Sequence, residues 1–241
     1  MSGDKNISIG YIHSFSSAVF RNVFCVYTKY TEVYTMSVGL IDNVGISLKF
    51  AYENTVKKIL RWIGMSILLY IPIAQFIVSG IFMKIYRGEE PDFSNAGKFF
   101  IQGLLMFIAE FVYTLIPVLI IILSALFSAS ESLSVITLIG LVVGIVLAFI
   151  IEFILIPVQV NFARKQSFGA AFAFGEIFGM IGKLGLAKYI LAWIVYFIVA
   201  VVFATVIGIF SVVPVIGAIL LLLFGPFIGI FAAQYFNNLF E

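Results

Sequence analysis

The chain has 241 residues, of which 63% are apolar and only 11% charged, with a net charge of +2 and a mean hydropathy of +1.17. A soluble domain is about 45–50% apolar and about 25% charged, so these charges are too few to cover a water-soluble globule, and the sequence reads as an all-α, polytopic membrane protein. The small net charge leaves no footprint for nucleic acid. The single cysteine, Cys25, excludes an internal disulfide, and the single histidine, His13, falls short of the ligand set a metal centre needs, so no metal or cofactor is expected.

Residues 1–35 mix polar and apolar side chains without a helical stripe and show no cleavable signal peptide. They read either as a loosely ordered extension ahead of a natural start at Met36 or as an ordinary interfacial segment, with residues 36–241 forming a single helical membrane domain. From Val44 to Arg61 the pattern is amphipathic. Ile46, Phe50, Val56, Ile59 and Leu60 alternate with Lys49, Glu53, Lys57, Lys58 and Arg61 at helical spacing, which suits a helix in the headgroup region, with Trp62 as an interface anchor.

Five apolar segments follow: Trp62–Ile85, Phe99–Phe127, Leu133–Val160, Leu186–Val213 and Val215–Phe236. At 1.5 Å per residue, about 20 residues cross a bilayer core, and each segment is long enough. The short connections at 128–134 and 211–217 make two antiparallel hairpins of the last four. SLKFAYENTVKKILRW, PDFSNAGKFF and SFGAAFAFGEIFGMIGK precede the first, second and fourth segments as similar amphipathic lead-ins, which raises an internal triplication.

Charge bears on the topology. Lys49, Lys57, Lys58 and Arg61 precede the first apolar segment, Lys84, Arg87 and Lys98 follow it, and Arg164, Lys165, Lys183 and Lys188 lie between the third and fourth. Five crossings would separate the first cluster from the others, against the positive-inside rule. A re-entrant first segment turning at Pro72, with arms of about 18 Å each, brings every basic cluster to the cytoplasmic side. A proline-kinked fifth span is the other reading.

The stretch from Gly140 to Pro157 carries one charge, Glu152. Stepping back by fours gives Ala148, Gly144 and Gly140, a small-residue stripe of the kind that packs helices in membranes, so Glu152 is expected to face protein, with Gln159 continuing that face. Folding 99–127 back on 133–160 sets Glu110 near the depth of Glu152 and Gln102 near Gln159. An acidic residue at a membrane centre costs roughly 2.5–3.5 kcal/mol on insertion scales, so a proton shared by the pair is expected. The group is then either a structural clasp or a proton or cation site. In the last hairpin, Gly225 and Gly229 on one helix and Ala200, Ala204 and Gly208 on the other are expected to be packing positions.

IVSGIFMKIYRGEEPDFSNAGKFFIQGL carries a resemblance through Gly80, Arg87, Gly88, Glu89, Pro91, Phe93, Phe100, Gly103 and Leu104. It resembles the signature of an uncharacterised family of multi-pass membrane proteins common in archaea, distantly similar to Yip-type membrane proteins and to the membrane domain accompanying some glycerophosphodiester phosphodiesterases. The likeness extends to RKQSFGAAFAFGEI and FGPFIGIFAAQYFNNLF, although Gly80-Ile81 stands where the family has Gly-Tyr. It implies fold and location without an activity. No metal cluster, catalytic triad or phosphate loop is legible, so an enzyme is not expected. The leading expectation is a non-catalytic protein that organises the plasma membrane or assembles with partners. Those partners are the bilayer and, beyond it, other membrane proteins or a second copy. The alternative is a small transporter or channel subunit.

Overall fold

The computed structural model describes residues 39–130 and 135–241. Residues 1–42 and 43–241 are separate compact units. Of the first, only 39–42 are described, and they are helical. The extension expected over 1–35, with His13 and Cys25, lies outside the described residues.

The second unit is helical throughout its described length, apart from turns. It opens with helical residues 43–54 (α1), followed by a turn at Thr55, whose hydroxyl donates to the Ala51 carbonyl. A single 3₁₀ turn, Val56–Lys58, leads into α2 (Ile59–Tyr70), and α3 is Gln75–Ile85. Then come α4 (Ala96–Ser130), α5 (Val135–Lys165), a 3₁₀ turn at Phe168–Phe172, α6 (Phe174–Leu184), α7 (Leu186–Phe210) and α8 (Pro214–Phe240). Four of these, α4, α5, α7 and α8, are long and apolar enough to cross a membrane.

The first apolar segment is a hairpin of two short helices. Ile71 is held extended ahead of Pro72, as the proline ring demands of the residue before it, and α2 stops there. With 12 and 11 residues, α2 and α3 are about 18 and 16 Å long, too short to span. Their outer ends meet: the Lys58 ammonium lies 3.1 Å from the Glu90 carboxylate, and the Phe93 ring lies against Gly64. This return also gathers the basic clusters. Lys58 reaches the loop after α3, and Arg164, at the end of α5, donates through Nε to the Tyr86 carbonyl.

Exposure is inverted relative to a soluble protein. The apolar stripe of the amphipathic lead-in points outward, with Ile46, Ile59 and Leu60 exposed, Leu60 at 85%. The inward face of α1 is small and polar: Ser47 and Ala51 are fully buried, and Asn43 donates to the Tyr235 carbonyl of α8 while accepting from Asn238. Water is replaced by hydrocarbon outside, so apolar side chains gain nothing by turning in, and small groups that allow close approach take the contacts.

Two contacts between α3 and α4 show this most sharply. A Cβ built on Gly80 would lie 2.0 Å from the Phe99 carbonyl oxygen, and one on Gly103 would lie 1.9 Å from that of Phe76. The two helices therefore touch backbone to backbone, antiparallel. The α4–α5 hairpin packs through Gly140 against Ser124 and Gly144 against Ile121. The α7–α8 seam is aromatic instead: Phe203 meets Phe224 and Phe227, and Tyr196 stacks on Phe231.

Two expectations need correction here. Gly225 and Gly229 receive Leu69 of α2 and Phe82 of α3, whereas Gly208, expected to be a packing position, has nothing within 4 Å. The rings that fill the α7–α8 seam leave no room for a glycine contact there. Of the three lead-ins, PDFSNAGKFF has no helix of its own and runs straight into α4, so the three do not share one structure.

Candidate functional site

Where the α2–α3 hairpin ends against α4, α5 and α8, it leaves a cavity of about 340 Å³. Its polar lining comes from Gln75 and Ser79 on α3, Tyr86 just past its end, Glu110 on α4 and Gln159 on α5. Gln75 sits at the first position of α3, and its side-chain amide donates to the Pro72 carbonyl, so the break in the hairpin and the cavity wall are one feature.

Gln159 organises the interior. Its Nε2 donates to Glu110 Oε1 at 2.7 Å, and its Oε1 accepts from the Tyr86 hydroxyl at 2.9 Å. One amide thus ties α3, α4 and α5 together with both of its faces used. Glu110 is half-buried. A carboxylate in such surroundings is tolerable only when hydrogen-bonded or paired, and Gln159 meets that need at one oxygen.

The four residues expected to form a polar ladder are divided by the structure. Glu110 and Gln159 come together. Glu110 and Glu152 share no hydrogen bond, and Glu152 is exposed on the flank of α5, contrary to the expectation that it faces protein. Angle around α5 is not the reason, since Gln159, seven residues on, lies within about 20° of Glu152; what differs is the partner, because Glu110 and Tyr86 both hydrogen-bond Gln159 and neither hydrogen-bonds Glu152. Gly140 and Gly144 face α4, and Ala148 is half-buried. Gln102 does not reach Gln159. It donates to Gln166 over a long 3.4 Å, because α5 ends there and Gln166 turns back in a left-handed conformation (φ 51°). Gln102 Oε1 stays buried without a partner.

Tyr86 and Ser79 escaped the sequence reading. Tyr86 meets Gln159 across 73 positions of chain, and no local periodicity reports such a contact. Of the other polar residues of α8, Asn237 and Asn238 join helix ends rather than the cavity, accepting from Arg164 and donating to Asn43, while Gln234 donates to Asn238.

The rim is charged and internally paired. Arg164 donates to the carbonyls of Tyr86 and Phe240 and to the amide oxygen of Asn237, so one cation faces the carboxyl ends of α3, α5 and α8, where helix dipoles favour it. Buried Lys84 lies 3.0 Å from Asp92 and 3.8 Å from Glu89. Hydrogen bonds from Ser94, with Lys84 behind them, bring the Asp92 carboxyl down to about 2, and the Arg87 guanidinium holds Glu89 below the ordinary carboxylate range. Lys165, the last residue of α5, does the same for Glu176 on α6.

A family described as a protein of unknown function (DUF4013) matches residues 63–213, more than half of the 241-residue chain. The chain belongs to the DUF4013 family. No curated protein and no solved structure matches it. The DUF4013 stretch takes in Gln75, Ser79, Tyr86, Glu110 and Gln159 and ends just before α8. The resemblance noted in the sequence reached further, into the closing FGPFIGIFAAQYFNNLF of α8, which lies beyond the family match. With four helices able to span, this DUF4013 chain is a multi-pass membrane protein.

Proposed function

We propose that this chain is a non-catalytic membrane protein that takes a small solute into the cavity beside Glu110, in the manner of a carrier or channel subunit. One observation carries the reading: a carboxylate lines an interior cavity whose wall is a broken helix. An ionisable residue within a membrane bundle is by default a functional group. Irregular backbone at membrane depth is tolerated where protein buries it or where it lines a cavity, and interrupted helices are how many transporters build their solute sites. The membrane we assign is the plasma membrane, with the basic end of the bundle cytoplasmic under the positive-inside rule.

The test is flux. Purified protein in vesicles containing a pH-sensitive dye should move protons or solute faster than empty vesicles. Glu110→Gln should lose that movement, and Ser79→Trp, which fills the cavity, should block it. Wild-type vesicles no leakier than empty ones, with Ser79→Trp indistinguishable from wild type, would refute the proposal.

A second reading, assembly with another membrane protein, draws on one feature. Ala204 and Gly208 are exposed one turn apart on α7, and Gly208 has no atom within 4 Å of a built Cβ. A cysteine at Gly208 that cross-links between chains in native membranes would favour it.

A further inference from the structure

We infer that the solute held beside Glu110 is an organic cation, a protonated amine or quaternary ammonium of modest size. This rests on the cavity being a solute site, and it names the class of solute.

Charge comes first. Glu110 is the one acidic residue among those lining the cavity, and no lysine, arginine or histidine lines it. An anion would be repelled by Glu110 in its ionised form, and a cation is the solute that would give that form a counter-ion. Gln159 does not supply one, because its amide hydrogen-bonds one carboxylate oxygen and brings no charge.

The walls come second. Phe76, Phe82 and Phe107 line the same space, with the Tyr86 ring at its edge, and the Phe76 and Phe107 rings are 5.2 Å apart. Ring faces attract cations that have shed their water, and aromatic walls with one carboxylate suit an alkylated ammonium.

The donor set argues against a bare metal ion. A hard cation takes about six to eight oxygens. Here the Gln159 oxygen already accepts from Tyr86, one Glu110 oxygen already accepts from Gln159, and the lining holds a single carboxyl group to balance a divalent charge. Among the described residues no three acidic, histidine or cysteine side chains cluster as metal ligands. A cavity of about 340 Å³ is at the small end for organic ligands, which limits the cation to roughly the size of choline or benzyltrimethylammonium.

The experiment is equilibrium dialysis of the full chain in detergent with radiolabelled benzyltrimethylammonium. Two competitors of matched shape are used, choline and its neutral carbon isostere 3,3-dimethylbutanol. Saturable binding should be displaced by choline at least about tenfold better than by the alcohol. Glu110→Gln should weaken binding by a similar factor, with Glu110→Asp retaining part of it. The competition uses wild-type protein, so it decides the matter even where a variant fails to fold. Equal displacement by choline and the alcohol would overturn the cation assignment and leave the solute cavity standing. Binding that survives Glu110→Gln but not Ser79→Trp would overturn the part given to Glu110. No saturable binding of either cation overturns this inference; if Ser79→Trp also leaves flux unchanged, the cavity reading fails with it.

Discussion

Alanine at Gly80 or Gly103 should separate α3 from α4. The new methyl carbon would lie 2.0 Å from the Phe99 oxygen or 1.9 Å from the Phe76 oxygen, whereas non-bonded atoms settle near 3.5 Å. Both obstacles are backbone atoms of helices, which cannot rotate away as a side-chain end can, so the helices must part by roughly 1 Å or more. Overpacking of this kind costs about 1–3 kcal/mol, and a parted α3 also pulls Tyr86 from Gln159. Gly179 on α6 has nothing within 4 Å of its built Cβ, and alanine there should be neutral or stabilising by up to about 1 kcal/mol, since glycine is a poor helix former. The assay is the thermal inactivation midpoint of purified protein in one detergent, read by loss of the monodisperse size-exclusion peak. Gly80→Ala and Gly103→Ala should fall well below wild type while Gly179→Ala matches or exceeds it. Equal midpoints for all four proteins would refute the backbone-contact argument.

Three further outcomes follow from the rim and the hairpin. Arg164→Ala should lower the same midpoint, by about 1–2 kcal/mol after discounting for its exposure, and Arg164→Lys should recover only part, because an ammonium cannot span three acceptors as a planar fork does. The Asp92 carboxyl, at about 2 in the folded protein against about 3.9 unfolded, adds stability that is present above the unfolded value and lost as pH falls through about 4 to 2. Wild type and Asp92→Asn should therefore differ in midpoint near neutral pH and converge near pH 2, and parallel curves would contradict the pairing. Single cysteines at Lys57, Glu90 and Lys183 should label from one side of the membrane and a cysteine at Val212 from the other; Lys57 labelling together with Val212 would mean five crossings.

Much of the architecture was legible in the chain. Composition sets the class, because hydrocarbon cannot satisfy charges and water cannot be shielded by this few. Segment length sets the spans, since the rise per residue is fixed. Pro72 marks the hairpin turn because its ring constrains Ile71 whatever surrounds it, and the basic clusters favour the returning form. Each of these rests on local geometry or on the bilayer, and neither depends on which helix packs beside which.

The site did not yield in the same way. Glu152 and Gln159 lie at nearly the same angle on α5, yet Gln159 meets Glu110 and Tyr86 while Glu152 is exposed, and only the packed helices show which of the two is given partners. The sequence alone could name Glu110 and Gln159 as inward candidates; it could not supply Tyr86, which reaches Gln159 from a different hairpin, nor show that Gly225 and Gly229 admit Leu69 and Phe82. Those choices follow from how the hairpins lean on one another, and that is settled by backbone atoms meeting at Gly80 and Gly103, far apart in the chain and adjacent only once it has folded.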